Sequence, residues 1–244
     1  MNNIRAILRG FLVFSLAVLF ILPGLFYSLF TKKWLPLALR MRRKWANISM
    51  SILGAQIHQN GEIPKGGPYI FIGNHRSYID PIVALRDIEA LPVAKAEVST
   101  WPIIGYCAKA TGILWVKRES KSSRANTVKA MDKLLTDGYS ILVYPEGTTH
   151  VEPMTRHFQR GAFGLAASKG IPILPIGIEY KEKSDAWVGN DTFIPHFVRC
   201  FGKKNTVIDI GFGPPLLGDD AKELASSAKK WIDEWLNLRA RKVF

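Results

Sequence analysis

His75 and Asp80 are the residues of this chain whose types and spacing first suggest chemistry. Of the five histidines, only His75 is followed by an aspartate five positions later. A nearby carboxylate fixes the tautomer of an imidazole and raises its basicity, so the other ring nitrogen can accept a proton from a hydroxyl group. Five residues turn a continuous helix by about 140°. The two side chains therefore meet only if His75 lies in the turn after a strand at 69–73 and Asp80 opens the next helix.

Asp80 also has a purely structural interpretation. Pro81 follows it directly, and apolar residues continue at Ile82, Val83 and Leu85. This pattern is typical of a helix that begins with an aspartate N-cap and has proline at its first position. Because one histidine–aspartate pair is weak evidence by itself, the other motifs of the chain have to decide between a catalytic pair and a simple helix cap.

Short apolar runs alternate with helical patterns over most of the chain. Such alternation is typical of an α/β domain whose sheet is largely parallel or mixed and is flanked by helices. We therefore predict a single catalytic domain of this class over residues 61–244. The predicted strands are 69–72, 91–95, 112–116, 140–144, 171–178 and 206–210, and the predicted helices are 81–88, 122–136 and 161–168.

An amphipathic stretch at 220–241 follows the last predicted strand. Its apolar stripe could pack on the sheet or touch a membrane interface, and packing is favoured because most such stripes belong to the core. The stripe consists of Leu224, Ala228, Trp231, Trp235 and Leu238.

The N-terminal region predicts a membrane anchor. Residues 10–30 run for 21 positions without a charge, which is long enough to cross the hydrocarbon core as a helix. Basic flanks fit either one span or a segment that enters one leaflet and returns, and Pro23 could kink the helix or turn it back. We expect residues 1–60 to form this anchor and a basic segment that is mainly helical over 34–57, with the catalytic domain on the cytoplasmic face. The flanking basic residues are Arg5, Arg9, Lys32 and Lys33, followed by Arg40, Arg42, Arg43 and Lys44.

The charge balance indicates a polyanionic partner. The formal net charge is +13, from 33 Lys and Arg against 20 Asp and Glu, which fits an anionic membrane surface, a phosphorylated small molecule or nucleic acid. No helix-turn-helix, zinc or aromatic RNA-binding signature occurs, so a membrane-tethered nucleic-acid-binding protein is only the remote alternative. Cys107 and Cys200 show no metal-ligand spacing and are expected to be reduced core residues, and no metal or cofactor is predicted.

Four ordered segments together indicate one family. In order and spacing they resemble the four motif blocks of the glycerolipid acyltransferases, and most closely those of the 1-acyl-glycerol-3-phosphate (lysophosphatidate) acyltransferases. Each block alone is weak evidence, whereas the ordered set is specific. The blocks are 74–80 (Asn-His-Arg-Ser-Tyr-Ile-Asp), 112–118 (Gly-Ile-Leu-Trp-Val-Lys-Arg), 144–148 (Tyr-Pro-Glu-Gly-Thr) and 171–176 (Ile-Pro-Ile-Leu-Pro-Ile), and 158–163 matches the Phe-x-basic-Gly-Ala-Phe stretch of the family.

The resemblance implies an O-acyltransferase that moves a fatty acyl group from acyl-CoA or acyl-carrier protein to the free hydroxyl of a lysolipid. His75 is then the general base, and Asp80 holds its imidazole. Because a thioester is already activated, the acceptor hydroxyl can attack it directly. No Gly-x-Ser-x-Gly elbow occurs, so a covalent route through Ser77 is the less favoured alternative.

The same resemblance implies which residues bind the substrates. Arg118, with Lys117 beside it, would bind the anionic head group of the acceptor, because a guanidinium can pair with two phosphate oxygens. Gly147 allows close backbone approach, and its amide would contact the acceptor or the oxyanion. Glu146, Thr148 and Arg160 are the other expected substrate-binding residues, and Pro172 and Pro175, in an apolar run that suggests an edge strand or a bulge, would shape the pocket.

One position departs from the pattern of the phosphatidate-forming members. They usually carry an arginine after Glu-Gly-Thr, whereas this chain has Thr149 followed by His150. Lysophosphatidate, giving phosphatidic acid, is the first expected acceptor, with Arg156 or Arg160 supplying the missing cation. The alternative is a lysolipid without a glycerol phosphate, such as a lyso-ornithine lipid.

Overall fold

A seven-stranded mixed sheet forms the centre of the computed structural model, which describes residues 2–28, 34–100, 112–117 and 119–240. Helices cover both faces of this sheet, so the predicted fold class is confirmed. The strands in chain order are β1 (Ala55–Asn60), β2 (Ile70–Gly73), β3 (Ala90–Lys95), β4 (Leu114–Val116), β5 (Ser140–Val143), β6 (Ile173–Tyr180) and β7 (Thr206–Phe212).

The strand order is β1-β7-β6-β2-β5-β3-β4. β6, β2, β5, β3 and β4 run parallel to one another, whereas β7 pairs antiparallel with β6 and parallel with β1. The carboxyl ends of the five parallel strands therefore share one edge of the sheet. In open α/β sheets this is the edge where ligands bind.

Helices form an apolar layer on each face of the sheet. One layer contains α2, α3 and α6, and the other contains α4, α5 and α7. β2 serves both layers, because Phe71 points to the first while Ile70 and Ile72 point to the second, as the pleat of a strand requires. The helices are α1 (Asn2–Ser28), α2 (Leu35–Leu53), α3 (Asp80–Leu85), α4 (Lys121–Thr136), α5 (Gly161–Lys169), α6 (Phe193–Phe201) and α7 (Ala221–Ala240).

Two elements differ in kind from the sequence-based expectation. Residues 55–57, predicted to be helical, belong to β1, and α6 was not predicted. β1 reads Ala-Gln-Ile-His-Gln-Asn and is mostly exposed at the sheet edge, so it lacks the apolar pattern by which strands are identified. Because β1 pairs with β7, the predicted division after residue 60 separates this strand from the sheet to which it belongs.

The prolines of the fourth block do not mark an edge strand. β6 lies between β7 and β2, so the edge-strand alternative is wrong, whereas the alternative of a bulge stays a prediction. The Pro175 carbonyl accepts from the Gly213 amide (2.8 Å), and regular pairing of β6 with β7 begins one residue later, at Ile176. Because the N and C=O of one residue point to the same side of a strand, Pro175 faces Gly213, just past the end of β7, and its missing N–H falls outside the regular β6–β7 ladder.

The C-terminal helix α7 packs on the sheet, as the sequence favours, except for Leu238 of the predicted stripe, which is exposed. Its two tryptophans lie against glycines of β6 and of the end of β7. A Cβ atom at Gly177 or Gly211 would lie 2.3 or 2.1 Å from the Trp235 ring, and one at Gly213 would lie 2.7 Å from the Trp231 ring. These glycines leave a flat surface on which the buried Trp235 indole lies.

α1 and α2 run antiparallel and are tied to the domain. Arg9 lies beside Gly54 at the end of α2, and the Trp45 indole donates to the Val13 carbonyl (3.2 Å). The Arg9 guanidinium donates to the carbonyls of Phe201, Lys203 and Lys204, and Arg5 donates to that of Gly202. Two cations thus satisfy carbonyls at and beyond the C-terminal end of α6, where the helix dipole favours positive charge.

The outer face of α1 carries large apolar side chains in contact with solvent. Over Asn2–Phe20 the helix is long and apolar enough to cross a membrane, and within the described ranges it is the one helix that meets this criterion. The helix continues through Pro23 to Ser28, so the chain does not turn back at Pro23; residues 29–33, which include the end of the predicted apolar run, lie outside the described residues. The exposed apolar residues are Ile4, Ile7, Leu8, Phe11, Leu12, Val18, Leu19, Phe26 and Tyr27.

Candidate active site

The side chain of Asn74 holds the turn after β2 against β6. Its Nδ2 donates to the Ile178 carbonyl (2.8 Å), and its Oδ1 accepts from the Ile178 amide (2.7 Å). The side-chain amide takes the place of a peptide group and extends the β2–β6 pairing beyond Gly73. This contact places His75 in the turn at the carboxyl edge of the sheet, where the sequence predicts it.

His75 and Asp80 lie within hydrogen-bonding distance of each other. His75 Nδ1 is 2.8 Å from Asp80 Oδ2; the Asp80 side chain is 0% exposed and the imidazole is 16% exposed. Because an ionised carboxylate can only accept, Nδ1 carries a proton, and the lone pair of the neutral ring is then on Nε2. In the part of the chain that the structure describes, Nε2 has no hydrogen-bond partner, so it is available to accept a proton.

Asp80 also binds the turn and a neighbouring strand. Its Oδ2 accepts from the amides of Arg76 (2.6 Å) and Ser77 (2.8 Å), and its Oδ1 accepts from the Tyr180 hydroxyl (2.7 Å). Burial and the Asp80 carboxylate raise the pKa of Tyr180 well above its ordinary value, so the phenol stays protonated and donates. Together with His75, four donors satisfy a carboxylate that has no access to water.

These contacts decide the structural interpretation of Asp80. α3 begins at Asp80 itself, and Ile79 occupies the cap position without a cap hydrogen bond from its side chain. The Asp80 carboxylate faces back to amides of the preceding turn instead of amides inside α3. Asp80 is therefore not a plain N-cap, although Pro81 does lie in the first turn of α3 as predicted.

An aromatic ring supports the imidazole from one side. Tyr144, at the end of β5, stacks on His75 with ring centroids 4.4 Å apart and planes inclined by 19°. A Cβ atom on Gly73 would lie 2.7 Å from the Tyr144 ring, so glycine at this position makes room for the stack. Burial, with the Asp80 carboxylate, raises the pKa of Tyr144 well above its ordinary value, so a neutral ring faces His75.

Glu146 of the third block binds the main chain of His75. Its Oε1 accepts from the His75 amide (2.9 Å), and its Oε2 accepts from the Arg156 amide (2.6 Å) and from Nε2 of His150. The side chain is 0% exposed. Both oxygens are used within the protein, so contact of Glu146 with substrate stays a prediction, and the geometry gives this residue a role in positioning His75.

Gly147 closes a tight turn after β5. Its φ of 73° lies in the left-handed region that favours glycine, and its amide donates to the Tyr144 carbonyl (3.1 Å). Binding of an oxyanion by this amide, as the sequence suggests, would require that hydrogen bond to break, and this role stays a prediction. Thr148, the next residue, is exposed beside the site.

Lys117 and Arg160 lie toward the carboxyl edge of the sheet, Pro172 lies at the opposite edge, before the start of β6, and Arg118 lies outside the described residues. Lys117 is exposed at the end of β4, roughly 14 Å from β2 because neighbouring strands are about 4.8 Å apart. Arg160 is exposed just before α5, and Pro172 precedes β6, where its carbonyl accepts from the Ile70 amide (3.0 Å). The binding roles of these residues stay predictions.

The alternative nucleophiles are poorly placed for attack on a substrate. Ser77 is completely buried, and so is Cys200, whose pKa is raised by burial. A low thiol pKa is what makes a cysteine reactive, so Cys200 is a core residue as predicted. Cys107 lies outside the described residues. Within the described ranges, no group of three or more His, Cys, Asp or Glu side chains could hold a metal ion.

Sequence reasoning assigned no role to Arg76 and His150, which the structure places directly behind His75. Arg76 is buried, and its Nη2 donates to Glu179 (2.9 Å) while its Nη1 donates to the His150 carbonyl (3.1 Å). An arginine in a polar turn is normally exposed, so the sequence around Arg76 does not predict that its side chain is buried. The sequence marks His150 only as the neighbour of Thr149. Of its two side-chain partners, Arg76 is distant in sequence and Glu146 lies at the other end of the turn after β5.

The sequence is similar to those of known acyltransferases. The sequence model of the family described as Acyltransferase matches residues 54–179, just over half of the chain. A lyso-ornithine lipid O-acyltransferase of Rhizobium meliloti is 26% identical, with 98% of this chain and 88% of that protein aligned. The chloroplastic 1-acyl-sn-glycerol-3-phosphate acyltransferase BAT2 of Brassica napus is also 26% identical, over 80% of this chain and 54% of its own.

The fold is shared with a solved structure. The crystal structure of the 1-acyl-sn-glycerophosphate (LPA) acyltransferase PlsC from Thermotoga maritima superposes with a TM-score of 0.71, covers 98% of both chains and is 18% identical. The matched residues 54–179 include β2, the His75–Asp80 pair and the Glu146 loop. The chain therefore belongs to the acyltransferase family.

Proposed function

We propose that this protein transfers a fatty acyl group from a thioester to the free hydroxyl of a lysolipid, with His75 as the general base. The observation that carries the proposal is the His75–Asp80 contact of 2.8 Å, by which the neutral imidazole presents the lone pair of Nε2 at the carboxyl edge of the sheet. Nε2 takes the hydroxyl proton while the acceptor oxygen attacks the thioester carbonyl. The tetrahedral intermediate then expels the thiolate, which recovers the proton from the imidazolium.

Direct transfer to the acceptor fits the surroundings of the site. Attack through an acyl-enzyme would need a nucleophile beside His75, and Ser77, the nearest hydroxyl in the block, is completely buried with its amide bound to Asp80. The donor is acyl-CoA or acyl-carrier protein, since both present the thioester that this chemistry needs. Either donor carries negative charge, which the excess of basic residues in the chain would attract.

Two acceptors are candidates. Lysophosphatidate is supported by the four blocks and by the names of the relatives from Brassica napus and Thermotoga maritima. Lyso-ornithine lipid is supported by Thr149, which removes the arginine usual in phosphatidate-forming members, and by the name of the relative that aligns with 98% of the chain. Of the arginines considered as replacements, Arg156 is bound to Glu152 (2.6 Å), and Arg160 is exposed.

Position 149 provides a test of acceptor selectivity. Membranes carrying the protein are offered acyl-CoA with lysophosphatidate or with lyso-ornithine lipid, and kcat/KM is measured for each. Thr149→Arg should shift the ratio toward lysophosphatidate by roughly tenfold, because a hydrogen bond to a charged group contributes about 1.5–3 kcal/mol. Thr149→Gln, of similar length but uncharged, is the control. An unchanged ratio would show that position 149 does not face the head group, and absence of product from both acceptors would contradict the proposed function.

The active site is proposed to work at the surface of a membrane. The exposed apolar face of α1 needs an apolar environment, and the antiparallel α2 together with the net positive charge suits an anionic leaflet. Because Arg5 and Arg9 are bonded to the end of α6, the N-terminus lies on the same side as the catalytic domain. This arrangement favours a segment that enters one leaflet and returns, with the domain on the cytoplasmic face.

This topology predicts where the two chain ends lie. In sealed inverted vesicles, protease added outside should remove tags from both the N-terminus and the C-terminus, since both ends are cytoplasmic. A tag on a protein of known periplasmic location, protected in the same vesicles, is the control. Protection of the N-terminal tag together with digestion of the C-terminal tag would show a single span and contradict the re-entrant arrangement.

The proposed base is tested by His75→Ala. Removal of a general base lowers turnover by about 10²–10⁴-fold, whereas the variant should still fold, because the Asp80 carboxylate keeps its three other donors. His58→Ala is the matched control: His58 also contacts an aspartate, Asp209 (3.2 Å), but at the β1 edge of the sheet. Near-normal turnover of the His75→Ala variant would rule out the mechanism.

A further inference from the structure

We propose that His150 is a positioning residue, which acts through Glu146 to fix the main chain of the catalytic His75. The inference rests on the proposed function and concerns a residue outside the pattern of the four blocks. His150 is 3% exposed, so it is placed to act on other protein groups and not on the substrate. Each link between His150 and His75 follows from a described contact.

The hydrogen bonds of His150 fix its tautomer. Nδ1 faces two donors, the Arg76 Nη1 (3.2 Å) and the Glu152 amide (3.2 Å), so it must accept. The proton therefore sits on Nε2, which donates to Glu146 Oε2. A neutral histidine in this one tautomer satisfies all the polar groups that face it.

Glu146 links the fixed ring of His150 to the main chain of His75. With Oε2 held by His150 and by the Arg156 amide, Oε1 is directed at the His75 amide, 2.9 Å away. The His150 amide in turn donates to the His75 carbonyl (3.3 Å). Both main-chain polar groups of His75 are thus held by the loop that follows β5, whereas Asp80 holds its side chain.

Arg76 anchors the network to a neighbouring strand. Its Nη1 contacts both the ring and the carbonyl of His150, and its Nε (3.2 Å) and Nη2 (2.9 Å) donate to Glu179 of β6. Since the guanidinium is buried, it cannot move away without leaving an unpaired charge. The position of His150, and through it that of Glu146, is thereby set by the sheet.

Two substitutions at position 150 distinguish a residue that positions His75 from one that only fills space in the core. Glutamine at position 150 can place its Nε2 where the histidine Nε2 donates to Glu146, whereas asparagine can replace only the Nδ1 acceptor that faces Arg76. We expect His150→Asn to lower kcat by about 100-fold, because displacement of a reacting group by about 1 Å has effects of that size. His150→Gln should keep kcat within about fivefold of the parent, and KM for both substrates should change little in either variant.

The experiment measures kcat and KM with whichever acceptor the parent protein uses, together with the unfolding temperature of each variant. If His150→Asn does not fold, His150→Met, which keeps the volume but lacks the donor, takes its place. His58→Gln is the control and should leave all values unchanged. Equal losses of kcat in the Gln and Asn variants, or no loss in either, would overturn the inference. A parent protein that makes no product, by contrast, would contradict the proposed function itself.

Discussion

The rest of the site depends on the four hydrogen bonds that converge on the buried carboxylate of Asp80. They come from the His75 imidazole, from two amides of the turn and from the Tyr180 hydroxyl of β6. A carboxylate without access to water must be satisfied by such donors. The requirement fixes the turn and the start of α3 together, and it presents Nε2 of His75 at the sheet edge.

The parallel part of the sheet explains why three of the four motif blocks end at one edge of the domain. β2, β5 and β4 end at the same edge, so the turn with His75, the loop with Glu146 and the end of the second block all lie on one side of the domain. The His75 turn is then held from two directions, by Asp80 at the side chain and by the Glu146 loop at the main chain. α1, which Arg9 ties to the end of α6, and the antiparallel α2 join this domain to the proposed membrane surface.

Sequence reasoning predicted the features that depend on local pattern. The apolar runs marked most strands, and the spacing of His75 and Asp80 predicted a strand, a turn and a helix in the right order. It failed for β1, whose polar composition carries no strand signal, and for Pro175, whose carbonyl partner Gly213 lies 38 positions away along the chain. The burial of Arg76 and the inward orientation of His150 depend on Glu179 and Glu146, and no short-range pattern encodes such pairings.

The tautomer of His75 tests the central claim most directly. The ¹⁵N chemical shifts of the ring nitrogens can be measured in protein labelled with [¹⁵N]histidine, with the His75 signals identified by their loss in the His75→Ala variant. We expect the neutral ring to have a protonated Nδ1, bound to Asp80, and an unprotonated Nε2. A neutral ring with the proton on Nε2 would contradict the claim, because Nε2 could not then accept the proton of the acceptor hydroxyl.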